Sequence, residues 1–316
     1  MIQELEQKLQ KINEQLVNMK KSPADKLKVQ NLRKKQQRLI QEGYQNLSPS
    51  DRVFIARHAQ RPNAKAYINT LFTDFFEQKG DRLSFDDCSI LGGIAKFHGK
   101  PVTVIAHLKG ENLEENITCN FGMPNPSGYR KVQRLARQAE KFNRPIITFI
   151  DTPGAYPGIE AEKNGQGEAI AQCLALFSDL SVPIIAVIIG EGGSGGALAL
   201  GVANTVIMLE NSVYSILSPE GFASILWKDS SRKEEACELL KLTAFDLEKL
   251  GVCDAIIPEG VGNIILNQQK VMENLDKMLI YELNKLQKFT KNMIRDHRYN
   301  KFRNMGKICE NQGENQ

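Results

Sequence analysis

The sequence predicts an α/β protein with a largely parallel sheet. The prediction rests on one unit that recurs: an apolar run ends in a Gly- or Pro-rich turn and opens a helix. Pro145–Ile150 runs into Asp151–Gly158, Pro183–Ile189 into Gly190–Ala197, and Ser212–Leu217 into Ser218–Gly221. Strands alternating with helices build parallel sheets, and turns at the carboxyl ends of such strands are where ligands bind. A chain of 316 residues is long enough to bury a large core as one big domain or two modest ones.

Residues 1–45 differ from the rest and are rich in Lys, Gln, Glu and Leu. Ile2, Leu5, Leu9, Ile12, Leu16 and Met19 recur at steps of three and four, a helical seam at heptad spacing. Ser22-Pro23 interrupts it, and a second helix is expected from Ala24 to Gly43. The result is an N-terminal helical hairpin. It is too polar to stand alone and rests on the main body or on another subunit.

The second domain spans residues 46–316 and begins near Leu47-Ser48-Pro49. A helix is expected from Ala66 to Lys79. Ile90–Phe97 and Pro101–His107 alternate as strands around His98-Gly99-Lys100, a hairpin signal. Further helices are expected over Gly128–Phe142 and Ala161–Leu180, and from Phe222 onward. Thr205–Leu209 reads as a strand. Thr243–Ile257 reads as a capped helix, a Gly stop and a strand. From Asn284 to Lys307 a basic tail carries Lys285, Lys288, Lys291, Arg295, Arg298, Lys301, Arg303 and Lys307, either a solvated helical face or a contact for phosphate or an acidic partner.

Composition narrows the class. The chain is 41% hydrophobic and 25% charged, and its net charge of +4 is too mild to imply nucleic acid. The first residues, Met1-Ile2-Gln3-Glu4, carry no secretory pattern, and no apolar run reaches the ~18 residues of a membrane span. Cys88, Cys119, Cys173, Cys237, Cys253 and Cys309 are scattered without a C-x-x-C pair. That pattern argues against a structural zinc site and for a cytoplasmic location.

Gly190-Glu191-Gly192-Gly193-Ser194-Gly195-Gly196-Ala197 is the densest motif. A strand, a glycine-rich turn and a helix N-terminus leave main-chain N–H groups uncovered and unpaired, a cradle for an anion or oxyanion. The residues themselves leave several readings open. Gly190, Gly192 and Gly195 fit a dinucleotide fingerprint, with Glu210 twenty residues on. Gly192–Gly196 fits G-x-S-x-G, although no sequence context marks His58, His98, His107 or His297 as its base. A phosphate-binding P-loop fails because no Lys-Ser/Thr follows. Small residues for close helix–sheet packing are a fourth reading.

Several blocks carry a resemblance that selects among these. They are Asn120–Pro124, Gly128–Lys131, Phe149–Gly158, Ile189–Leu198, Tyr214–Gly221 and Leu226–Lys228. Together they resemble the alpha subunits of bacterial acetyl-coenzyme A carboxylase carboxyltransferase, in the crotonase superfamily. The likeness runs in order from about Gln3 to Arg303, and departs from the family's usual pattern at Glu111–Cys119 and Pro258–Asn263.

The resemblance implies a crotonase-like spiral of strand–strand–helix units. It implies transfer of a carboxyl group from carboxybiotin, carried on the biotin carboxyl carrier protein, to acetyl-CoA, giving malonyl-CoA for fatty-acid synthesis. Implied partners are a zinc-ribbon beta subunit in an α2β2 assembly and the biotin carboxylase. The main-chain N–H groups of Gly195 and Gly196 would form the oxyanion hole facing biotin, with Gly192, Gly193, Gly154, Ala155 and Tyr156 shaping the pocket. Ser194 would be a turn residue. No metal ligand is implied in this chain.

Overall fold

A computed structural model describes residues 2–19, 26–83 and 85–306. The hairpin is α1 (Ile2–Asn18) and α2 (Lys26–Gly43). Along the seam Ile2, Leu9 and Ile12 are buried and Leu5, Leu16 and Met19 half-buried. The Ser22-Pro23 break lies outside the described residues. The hairpin rests on the body: the Ile2 N–H donates to Asp51 Oδ1 at 3.0 Å, and Asn263 Nδ2 donates to the Tyr44 hydroxyl at 3.1 Å.

Helix α3 (Pro49–Ala56) starts where the sequence dictates, with a Ser48–Asp51 capping box and Pro49 in the first turn. Asn63 caps α4 (Ala64–Leu71). The helix expected to reach Lys79 stops at Leu71. Thr73–Glu77 forms β1 instead, because Phe75 and Phe76 fit a pleated edge paired with β2. Strands β2 (Ile90–Phe97) and β3 (Lys100–His107) form the expected hairpin. Its two turn residues, His98 (φ 46°) and Gly99 (φ 77°), both take the left-handed conformation that a tight hairpin needs.

Next come α5 (Leu113–Thr118), α6 (Pro126–Lys141) and β4 (Ile146–Thr152). The single helix expected over Ala161–Leu180 is two, α7 (Ile159–Lys163) and α8 (Gln166–Asp179), because Gly165 adopts φ 82° between them. Strand β5 runs from Ile184 through Gly193, so Gly190–Gly193 is strand and not turn. Then follow α9 (Ser194–Gly201), β6 (Thr205–Leu209), β7 (Val213–Ser215), α10 (Pro219–Trp227), α11 (Lys233–Leu240), α12 (Ala244–Lys249), β8 (Ala255–Ile257), α13 (Ile264–Leu286) and α14 (Lys291–Asn304).

The strands form one eight-stranded sheet in the order β1-β2-β3-β4-β5-β6-β8, with β7 added beside the end of β5. Pairing is antiparallel from β1 to β3 and parallel from β3 onward. Alternation puts Ile147, Phe149, Ile185, Val187 and Ile189 on one face with α4 and α13. Ile146, Ile150, Ile184, Ala186 and Ile188 face α6, α8 and α9. Strands buried on both faces explain the unbroken apolar runs.

The basic tail is divided: Lys285, Lys288, Lys291 and Arg303 are exposed, Arg295 and Lys301 half-buried, Arg298 buried, and Lys307 lies outside the described residues. Arg298 is buried and donates to the carbonyls of Phe177, Leu180 and Val182 and to Asn204 Oδ1. Arg295 meets Asp179, and Lys301 meets Asp254. Of the cysteines, Cys119, Cys173, Cys237 and Cys253 are buried, and Cys309 lies outside the described residues. No helix among the described residues is long and apolar enough to cross a membrane.

Candidate functional site

The carboxyl ends of β4 and β5 converge on one point. A Cβ on Gly193 would overlap the Pro153 carbonyl. One on Gly196 would lie 2.6 Å from Gly154 C and 2.7 Å from Ala155 N, and one on Gly192 would sit 2.9 Å from the Tyr214 ring. These glycines therefore permit close approach of backbone to backbone. None of Gly190, Gly192, Gly193, Gly195 and Gly196 has positive φ; that conformation falls on Ser194, at φ 49°. Gly195 is less constrained, with Ile170 Cγ2 at 3.6 Å from its would-be Cβ.

Helix α9 begins at this turn, and no side chain caps it. Helical geometry leaves the first N–H groups, including those of Gly195 and Gly196, without intrahelical acceptors. The helix dipole adds partial positive charge there. Gly196 is buried, Gly195 half-buried and Ser194 exposed. The end of this helix can therefore hold a developing negative charge.

Beside the turn lies a set of paired polar groups, of which Arg61, Asp151, Glu191 and Glu259 are buried and Arg57, Lys109 and Glu220 reach solvent. Asp151, on β4, accepts from Lys109 Nζ at 2.6 Å and from the Glu191 N–H at 3.0 Å, both at Oδ1. Arg57 pairs with Glu191 at 2.6 Å and Glu220 at 2.9 Å. Arg61 pairs with Glu259 and donates Nε to the Ile189 carbonyl at 2.6 Å. A cleft of about 780 Å³ beside Pro153 is lined by Arg57, Arg61, Lys109, Asp151 and Glu191 of this set. His107 ends β3 fully buried, with neither ring nitrogen hydrogen-bonded among the described residues. Burial pushes its pKa down to about 3, with Asp151, Lys109 and the Gly196 main chain acting on it.

The structure brings Gly154 and Ala155 against Gly196, and Gly192 and Gly193 into the end of β5. Thr152 Oγ1 fixes the loop by accepting from the Gly154 N–H at 3.1 Å and donating to the Gly154 carbonyl at 2.7 Å. Tyr156 lies further along. Its ring stacks over Gly158, its N–H donates to the Pro124 carbonyl and its own carbonyl accepts from Gln166. Sequence reading missed the Asp151–Lys109 and Arg61–Glu259 pairs. The available signal was an acid ending the apolar run Ile146–Ile150. Glu259, in the segment Pro258–Asn263 that departs from the family's usual pattern, is completely buried.

The competing readings of the glycine motif lose their geometry. Gly190 and Gly192 are strand residues, α9 has eight residues, and the Glu210 carboxylate accepts from the Glu259 N–H. No histidine hydrogen-bonds Ser194 among the described residues: His107, beside the Gly196 main chain, is fully buried whereas Ser194 is exposed. His297 contacts Asn204, whose N–H donates to the Ile184 carbonyl at the opposite end of the ten-residue β5, roughly 30 Å away. His58 faces Glu6, and His98 faces Asp276 in the hairpin turn. Among the described residues no group of three or more His, Cys, Asp or Glu is placed to hold a metal ion.

The mixed sheet, its strand ends feeding an uncapped helix through close glycine packing, is a crotonase-like fold. Solved structures share that fold. A Pseudomonas malonate decarboxylase hetero-tetramer in complex with coenzyme A aligns with TM-score 0.60 and 16% identity, over 74% of this chain and 90% of that one. Transcarboxylase 12S with methylmalonyl-coenzyme A aligns with TM-score 0.56 and 18% identity, over 75% of this chain and 46% of that one. The acetyl co-enzyme A carboxylase carboxyltransferase-like family model matches residues 1–306. Acetyl-coenzyme A carboxylase carboxyl transferase subunit alpha of Bacillus cereus (strain G9842) is 50% identical over 305 residues, 96% of this chain and 94% of that protein. Its counterpart in Bacillus thuringiensis (strain Al Hakam) matches equally. The chain belongs to the acetyl-coenzyme A carboxylase carboxyltransferase alpha-subunit family.

Proposed function

We propose that this chain is the biotin-facing half of a carboxyltransferase that makes malonyl-CoA from acetyl-CoA. The observation that carries the reading is the uncapped N-terminus of α9, with Gly196 buried against Gly154 and Ala155. Carboxybiotin on a carrier protein supplies the activated carboxyl group, and its departure leaves negative charge on the ureido oxygen. The N–H groups of Gly195 and Gly196 donate to that oxygen. Removing one such donor typically costs ~10²–10³ in rate. Gly192 and Gly193 let the approaching chains close, and Gly154, Ala155 and Tyr156 form the pocket wall. Ser194 turns the backbone and takes no part as nucleophile.

The second oxyanion, on the acetyl thioester, falls to a beta subunit, which completes the site. The chain alone is therefore inactive. The test is to mix it with a zinc-ribbon beta subunit and assay malonyl-CoA formation from carboxybiotin. Turnover by the mixture and background rates by either chain alone support the reading. Robust turnover by the isolated chain, or none by the mixture, contradicts it.

A further inference from the structure

The pairing of β4 with β5 slips just before the site. Ile150 pairs with Ile188, yet Thr152 pairs with Gly192, so β5 spends two extra residues over Ile189–Glu191. Irregularities of this kind re-aim the strand beyond them and leave ladder groups unpaired. Here side chains take the freed groups. The Ile189 carbonyl accepts from Arg61 Nε at 2.6 Å, and the Glu191 N–H donates to Asp151 Oδ1 at 3.0 Å. The intervening residue is Gly190, and a Cβ there would lie 2.5 Å from Asp151 Oδ1. The glycine is what lets the carboxylate reach the strand. Lys109 Nζ, 2.6 Å away, supplies the countercharge for an acid whose side chain is 9% exposed.

We propose that Asp151 is a positioning residue for carboxyl transfer, its carboxylate clamping the slipped segment Ile189–Glu191 and so fixing the turn that carries Ser194, Gly195 and Gly196. Three residues separate the clamped Glu191 N–H from the Gly195 N–H. A shift of the strand end is therefore passed on to the donors almost undiminished. Misplacing reacting groups by about 1 Å costs on the order of 10²-fold in rate. The role assumes the carboxyl-transfer function proposed for the assembled subunits.

The test uses the full chain assembled with its beta subunit. Malonyl-CoA-dependent carboxylation of free biotin gives kcat and KM, and hydrogen–deuterium exchange of the segment 188–196 reports the clamp without turnover. Asp151→Ala is expected to lower kcat on the order of 10²-fold, leave the KM for malonyl-CoA unchanged and speed exchange across the segment. Asp151→Asn, whose amide oxygen still accepts from Glu191, is expected to restore most of kcat and of the protection. Gly190→Ala tests the same contact from the strand side, and decides the matter if Asp151→Ala fails to fold. It should reproduce the loss of kcat and the faster exchange. Normal kcat and exchange in Asp151→Ala or Gly190→Ala overturns the proposal, as does an Asp151→Asn variant no better than Asp151→Ala. If the wild-type assembly transfers no carboxyl group, the functional reading fails, while exchange still decides whether the clamp exists.

Discussion

Arg61 and Glu259 form an ion pair sealed from solvent, Nη2 to Oε1 at 2.5 Å, at the carboxyl end of the sheet. The side chains are 3% and 0% exposed, so the pair survives only because every remaining polar group is used. Glu259 also accepts from the Asn211 N–H and Nδ2 and from the Ile264 N–H. Burial disfavours its charge, but Arg61 holds its carboxyl below the usual carboxylate range. The pair ties the α3–α4 connection to β5 and to the start of α13.

Glu259→Gln should destabilise the chain by about 3–5 kcal/mol, because it strands a buried guanidinium. The shift of the urea midpoint measures this. Since the folded pKa is depressed, the contribution is present above the unfolded carboxylate pKa and is lost as pH falls through the folded one. The variant should accordingly lose less stability than the parent on strong acidification.

His107 gives a second pH dependence with a different window. Its folded pKa of about 3 lies below the unfolded value of ~6.5, so the unfolded chain binds a proton that the folded chain refuses. Stability therefore rises with pH across that interval. His107→Gln should flatten the slope between pH 5 and 6 by about 1.4 kcal/mol per unit. Parallel stability profiles for the two proteins would sink this assignment.

The glycine turn should respond to substitution by position. Ser194→Ala should retain activity within about tenfold, since no base faces the hydroxyl. Gly196→Val should lose on the order of 10²–10³ in carboxyl transfer by the assembled subunits. Gly195→Ala should fold normally, its Cβ meeting only Ile170 at 3.6 Å. A fluorophosphonate that labels Ser194 and abolishes activity would reverse this account.

Arg298 should be a keystone of the C-terminal helix. Its guanidinium bonds three main-chain carbonyls and Asn204 at 2.7–3.0 Å, and burial lowers its pKa to about 10. Arg298→Leu leaves those carbonyls unpaired, at roughly 1–3 kcal/mol each. Limited proteolysis should then cut within α14 before the sheet. Lys at this position should rescue poorly, having no planar fork.

Removing residues 1–45 should lower the assembled mass seen by light scattering and leave the core folded. The hairpin already rests on the body through Ile2 and Tyr44. Asp at both Leu9 and Ile12 should act in the same direction. An unchanged alpha–beta complex for both variants would assign the hairpin to local capping.

The amino-acid sequence by itself determined the parallel α/β plan, the β2–β3 hairpin, the capped helix at Thr243 and the strand–glycine–helix unit, because each is written in residues near one another in the chain. Apolar runs, cap residues and glycines act locally, and so do their signals. Tertiary structure alone decided that Phe75 and Phe76 belong to a strand, because only β2 offers them a partner. It alone decided that Gly190–Gly193 continue β5, because β7 and Asp151 supply hydrogen bonds from residues distant in sequence. The buried ion pair shows the same division: Arg61 and Glu259 are 198 positions apart, and no local pattern links them. A charged residue in a sequence reads as surface until folding supplies a partner and removes the water.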